Sequence, residues 1–140
     1  MVSFDVVSIF TKVPIQLALS IVKQHVQSNP ELSQRTILST TELNQVLEFC
    51  LSSIHYIFRG KHYNQVFGTV TDSPVSSVVA NLVMQDVEKR ALETFADPPR
   101  FWKRYVDDIF VIIKKSNLSE FFTRANTIES FVQLTVEYKK

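Results

Sequence analysis

A chain of 140 residues, 45% hydrophobic and 21% charged, has enough apolar material for one packed domain burying roughly 70% of its unfolded surface. Its net charge of +1 excludes the strongly basic balance of a free-standing nucleic-acid-binding domain, so any cationic surface must be local or lie elsewhere. One cysteine, Cys50, excludes an internal disulfide and a Cys-rich zinc site, and no apolar run reaches transmembrane length.

No basic segment followed by an apolar one opens the sequence, so a secretory leader is not expected. Residues 2–7 (Val-Ser-Phe-Asp-Val-Val) predict a short strand. Its one charge, Asp5, is costly to bury unless paired or metal-bound, which leaves a water-facing edge as the plain alternative. Pro14 suits a first helical turn, and Leu17, Ala18, Ile21, Val22 and Val26 follow at helical spacing up to Ser28-Asn29-Pro30. Residues 30–38 read as a polar connector.

Ser39-Thr40-Thr41-Glu42 has the capping-box pattern. Leu43, Val46, Leu47, Cys50, Leu51 and Ile54 then form a helical stripe, which assigns Cys50 to the core. Residues 55–67 predict a hairpin turning near Arg59-Gly60-Lys61. His25, His55 and His62 lack an acid or thiol at ligand spacing and read as ordinary surface or core histidines. Gly68–Ser77 predicts a small-residue loop feeding a helix from about Ser77 to Phe95, with Val79, Val83, Val87, Ala91 and Phe95 along one face. Asp86, Glu88, Lys89, Arg90 and Glu93 form its solvated face.

Asp97-Pro98-Pro99 is a turn. Phe101–Lys115 then predicts a hairpin with Asp107 and Asp108 at its tip. Ile109–Ile113 is apolar throughout, which predicts a deeply buried second strand. A helix from Asn117, its cap, to about Ile128 and a strand over residues 131–138 complete the chain.

The element order predicts an α+β fold, a ferredoxin-like antiparallel sheet with helices on one face, and no linker splits it. In that arrangement the first strand lies beside the central hairpin, bringing Asp5 to Asp107. Asp is also a common turn residue, so the adjacent pair has a plain structural reading. Converging carboxylates, however, do not all stay ionised without cations. Hard divalent ions such as Mg²⁺ take carboxylate oxygens, and a pair of them can drive phosphoryl transfer.

Three stretches carry a family resemblance. Ser3-Phe4-Asp5-Val6-Val7-Ser8-Ile9-Phe10-Thr11-Lys12-Val13-Pro14 resembles motif A of reverse transcriptases. Gly68-Thr69-Val70-Thr71-Asp72-Ser73-Pro74-Val75-Ser76-Ser77-Val78-Val79-Ala80-Asn81-Leu82 resembles motif B. Arg104-Tyr105-Val106-Asp107-Asp108-Ile109-Phe110 resembles motif C, the Tyr-X-Asp-Asp box. The wording is most similar to Penelope-like retroelement reverse transcriptases.

The resemblance implies the palm of an RNA-directed DNA polymerase. Asp5, Asp107 and Asp108 would be the catalytic, metal-holding carboxylates, assisted by the Val6 carbonyl, for two Mg²⁺ ions with Mn²⁺ as a substitute. Phe10 would exclude a 2′-hydroxyl, and Ser73 and Pro74 would contact the nucleotide. Tyr105 would support the primer end, with Lys103 and Arg104, and Lys114 and Lys115, near phosphates. The partners implied are an RNA or DNA template with a DNA primer, and deoxynucleoside triphosphates. A membrane is not among them, and the place implied is intracellular, in nucleus or cytoplasm.

Residues 1–140 would then be a palm fragment, with fingers and thumb outside it and an endonuclease domain a further candidate in the parent protein. One departure counts against activity. Asp72 stands where the family's motif B usually has a glycine, and a carboxylate there would repel a triphosphate. The alternative readings are a decayed or domesticated palm that binds nucleic acid without catalysis, and a nucleotide cyclase or other palm-like phosphotransferase.

Overall fold

The computed structural model describes residues 1–69 and 73–137, leaving aside the side chains of Ile9, Phe10 and Ser33. In chain order the elements are β1 (Val2–Val7), α1 (Ile9–Lys12), α2 (Ile15–Gln27), α3 (Leu32–Arg35), α4 (Thr40–Ser52), β2 (His55–Phe58), β3 (Lys61–Asn64), α5 (Pro74–Glu93), β4 (Phe101–Tyr105), β5 (Asp108–Ile112), a 3₁₀ turn (Lys115–Asn117), α6 (Leu118–Ile128) and β6 (Gln133–Glu137). The fold is mixed α+β. Two compact units are distinguished, and each is described by itself: Met1–Ile9 with Met84–Lys140, and Phe10–Val83.

The first unit is built on a four-stranded sheet in the order β4-β5-β1-β6, antiparallel at every pairing. Strand alternation explains its two faces. Val2, Phe4 and Val6 of β1, Ile109 and Val111 of β5 and Leu134 of β6 are buried on one side. Helix α6 supplies Phe121 and Ala125 to the core. The Phe4 ring meets Trp102 and Phe122, while Phe121 meets Trp102 and Phe95 edge-on. Phe4 and Phe121 are fully buried, each contributing about 1.5–3 kcal/mol of transfer free energy.

In the second unit α4 packs on α2. Helix α4 opens with the expected capping box: the Glu42 amide donates to Ser39 Oγ, and the Ser39 amide donates to the Glu42 carboxylate. That hydrogen bonding, from the Ser39 side chain first and its backbone second, lowers the pKa of Glu42. Strands β2 and β3 form the expected hairpin. Arg59 and Gly60 both take positive φ, 50° and 74°, as a two-residue type I′ turn requires.

Several expectations are corrected. Strand β5 is covered on one face only: Ile109 and Val111 are buried, while Phe110 and Ile112 are exposed, so an all-apolar run does not here mean two covered faces. Strand β1 is central, between β5 and β6, so Asp5 is not at a sheet edge. Cys50 is exposed. Of the apolar residues of α4, Leu43, Leu47 and Leu51 turn inward, where α2 packs along one narrow stripe, and Val46 and Phe49 are left outside with Cys50.

Helix α5 begins at Pro74, three residues earlier than its apolar face suggested, because proline at the first helical position forfeits no hydrogen bond. Val78 lies outside the buried stripe. The connector at residues 30–38 contains the short α3. Asn117 makes no capping hydrogen bond. Its side-chain Nδ2 donates instead to Asp97 Oδ2 at 2.7 Å, and the 3₁₀ turn precedes the helix. The last strand is described to Glu137, and Tyr138 lies outside the described residues.

Candidate active site at the β4–β5 turn

Strands β4 and β5 are joined by a two-residue turn, Val106-Asp107. Val106 takes φ 57°, a left-handed conformation that a β-branched residue adopts only when its surroundings hold it there. Two contacts do the holding. The Val6 amide of β1 donates to the Asp107 carbonyl at 3.0 Å, and the Arg104 guanidinium donates through Nη1 to the Val106 carbonyl at 3.0 Å.

Arg104 is itself committed. Its Nε donates to Glu88 Oε1 of α5 at 2.7 Å, with the two side chains only 8% and 13% exposed. Alternation along β4 puts Trp102 and Arg104 on the covered side, and Phe101, Lys103 and Tyr105 on the other. The resemblance implies a place near phosphates for Arg104, but this geometry spends it inside the unit. Glu88, read from the sequence as part of a solvated helix face, is its partner. A separation of sixteen residues along the chain falls under no local pairing rule, so nothing in the sequence marks the pair.

The register places Asp5 of β1 opposite Asp108 of β5. Asp5 lies on the open face with Ser3 and Val7. Asp108 shares that face with Phe110 and Ile112. Asp107 is exposed in the turn, one residue away. Three carboxylate-bearing positions from residues 5, 107 and 108 therefore come to one end of the sheet. Among the described residues no three His, Cys, Asp or Glu side chains close around a common point as metal ligands would. The donors have the right chemistry for a hard divalent ion: carboxylate oxygens.

Tyr105 is 81% exposed beside the turn, and Lys103 is exposed on the same face. Lys114 is paired with Asp97 Oδ2 at 2.6 Å, and Lys115 opens the 3₁₀ turn. Ser73 and Pro74 lie at the start of α5. Phe10 belongs to α1 by its backbone, but its side chain, and with it the sugar-gate assignment, lies outside the described residues, as does Asp72. Gly68 precedes that gap. Its φ is 74°, and a Cβ there would drive into the backbone carbonyl of Thr11, tying the two motif-bearing segments of the second unit closely together.

Compared with known proteins, the chain matches no family model and no curated protein. Among the described residues no helix is long and apolar enough to cross a membrane.

Proposed function

We propose that this chain is a reverse transcriptase palm, its sheet of the ferredoxin-like type, acting in nucleotidyl transfer to a primer 3′-hydroxyl. The observation that carries the reading is the pairing of Asp5 with Asp108, with the Val6 amide on the Asp107 carbonyl. That pairing supports the reading because it brings residues about a hundred positions apart in the chain to neighbouring strands. The position of β1 beside the β4–β5 hairpin in the order β4-β5-β1-β6 lends the reading support.

Asp5, Asp107 and Asp108 would hold two Mg²⁺ ions, with the Val6 carbonyl as a further oxygen donor. When bound, the ions supply Lewis acidity to the attacking hydroxyl and to the departing pyrophosphate. The chain's own residues do the rest. Tyr105 offers an exposed ring beside the turn for the primer end, and Lys103 offers an ammonium to a phosphate. The exposed apolar side chains Phe101, Phe110 and Ile112 line the same open face and give a nucleic-acid backbone or sugar a surface to lie on. The roles of Phe10, Ser73 and Pro74 rest on the motif resemblance. Arg104 drops out of the phosphate contacts.

The test is Mn²⁺ binding by the whole chain, read by electron paramagnetic resonance, followed by extension of a primed template. Asp107→Asn and Asp5→Asn should each weaken Mn²⁺ binding at least tenfold. Parent-like affinity in both variants would overturn the metal role. Metal binding that depends on these aspartates, without extension even when fingers and thumb are supplied, favours the second reading: a palm that keeps its site but has lost turnover. Asp72 in motif B is the specific reason to keep that reading.

A further inference from the structure

The β2–β3 hairpin is used by none of the site described above. All eight of its strand residues are exposed. The register sets Tyr56 opposite Tyr63 and Phe58 opposite Lys61, and alternation puts these four side chains on one face. The two tyrosine rings stack with centroids 5.4 Å apart and planes 15° from parallel. Arg59 lies over the Phe58 ring, 5.2 Å from its centroid. Tyr56, Phe58 and Tyr63 remain 52%, 57% and 40% exposed.

A two-stranded hairpin is marginal in water, and contiguous exposed rings of this kind mark an interaction surface. Its charge selects the occupant. No Asp or Glu occurs between Glu48 and Asp72, while Arg59 and Lys61 sit at the turn. Aromatic faces in a row with cations at one end match a single nucleic-acid strand, whose bases stack regardless of sequence and whose phosphates need neutralising. A neutral apolar protein groove would match the rings but not the cations. Duplex nucleic acid hides its base faces and would leave the rings unused.

We propose that this face of the β2–β3 hairpin binds single-stranded nucleic acid, stacking bases on Tyr56, Phe58 and Tyr63 and holding phosphates with Arg59 and Lys61. The proposal deepens the polymerase reading by giving its unpaired strand a resting place, and it is tested separately from the metal site. The whole chain, with divalent ions chelated, is titrated into a fluorescein-labelled oligothymidylate of about 12 nucleotides, and anisotropy is read.

The double variant Tyr56→Ala/Tyr63→Ala should weaken binding by tenfold or more, while Tyr56→Phe/Tyr63→Phe restores it to near the parent value, because stacking needs the ring and not the hydroxyl. Arg59→Gln/Lys61→Gln should reduce the slope of log affinity against log salt by about 1.4. Circular dichroism accompanies each variant. If the alanine pair loses its fold, the phenylalanine pair and the charge pair still decide.

Binding and salt slope unchanged in the charge pair would overturn the proposal. So would equal competition by duplex of the same length, or a dimer in sedimentation that Phe58→Ser dissolves, which would make the face a self-association surface. Asp107→Asn should leave oligonucleotide binding intact, so failure here and failure of the metal site are distinct results.

Discussion

Arg104 and Glu88 form an ion pair with Nε and Oε1 2.7 Å apart and both side chains nearly closed to water. The same guanidinium donates to the Val106 carbonyl, so one side chain ties α5 to the turn that carries Asp107. Breaking such a pair leaves a buried charge alone, which costs about 3–5 kcal/mol, whereas removing both charges for apolar groups is near neutral. Arg104→Met and Glu88→Gln should each lower unfolding free energy in urea by an amount of that order. The double variant Glu88→Leu/Arg104→Met should recover most of it. Single losses under 1 kcal/mol would mean the pair is solvated. Even with stability recovered, the double variant lacks the donor to Val106, so amide exchange at residues 106–108 should stay faster than in the parent.

Val106 gives the second test. Its φ of 57° is one that Gly or Asn accepts readily and a β-branched residue resists. Val106→Gly should therefore stabilise the chain by about 0.5–1 kcal/mol after the added chain entropy of glycine is subtracted. A loss of stability in urea would show that the Val106 side chain makes a contact worth more than the strain. If the turn orients Asp107, the same variant should bind Mn²⁺ more weakly while unfolding later, and that opposition separates orientation from stability.

These two residues show where the sequence was readable and where it was not. Local patterns place β1, the Ser39–Glu42 capping box, the Arg59-Gly60 turn and the β4–β5 hairpin, because each depends on residues within a few positions of one another. The hairpin's turn, however, is Val106-Asp107 rather than Asp107-Asp108, since Asp108 begins β5. The same local reading misplaced Cys50 and half of β5. Whether an apolar residue is covered depends on what packs above it, and among the described residues one side of β5 and one stripe of α4 are covered. The motif resemblance puts Arg104 near phosphates, and only the fold reveals Glu88 as its partner. Element order brings β1 beside the hairpin and Asp5 to Asp107; the register that sets Asp5 opposite Asp108 comes from the fold. The direction in which each carboxylate settles was not legible in the sequence.

Gly68 offers a test in the second unit. With φ at 74° and the Thr11 carbonyl where a Cβ would go, alanine is penalised twice, once by the left-handed backbone and once by overlap with backbone that has no rotamer to change. Gly68→Ala should cost about 2–4 kcal/mol, measured by thermal or urea unfolding. Gly60→Ala is the comparison. It has the same φ and nothing within 4 Å of its Cβ, so only the conformational cost of about 1–2 kcal/mol applies. Equal losses at the two glycines would show that the Thr11 contact yields without cost.

Asp97 carries a pH dependence. The hydrogen bond from Lys114, then that from Asn117, lowers its carboxyl pKa below the ordinary value, with the charges of Lys114 and Arg100 adding to the effect. A carboxyl more acidic in the folded chain stabilises it fully above the ordinary pKa, near 3.9, and that contribution fades as pH falls through the lowered folded value. The parent should thus unfold at higher temperature than Asp97→Asn at pH 6, with the gap closing in acid below about pH 4. Because the pair is open to water, 1 M salt should shrink the gap as well. A gap that persists at pH 2 would assign the difference to packing.

The opposition of Asp5 and Asp108 makes a prediction that joins stability to the proposed site. Like charges directly across antiparallel strands destabilise a sheet by a few tenths of a kcal/mol, up to about 1. Nothing on the open face supplies a compensating ion pair to either residue among the described contacts. Asp5→Asn should therefore raise the unfolding free energy by about that amount when divalent ions are chelated. In excess Mn²⁺ the order should reverse, since an ion that binds only the folded parent stabilises it by mass action, by about 2.7 kcal/mol at a hundred times its dissociation constant. The variant, having lost a ligand, should gain little. A parent chain that is less stable than Asp5→Asn with and without Mn²⁺ would mean the two carboxylates merely repel, and would leave the sheet end without the function proposed for it.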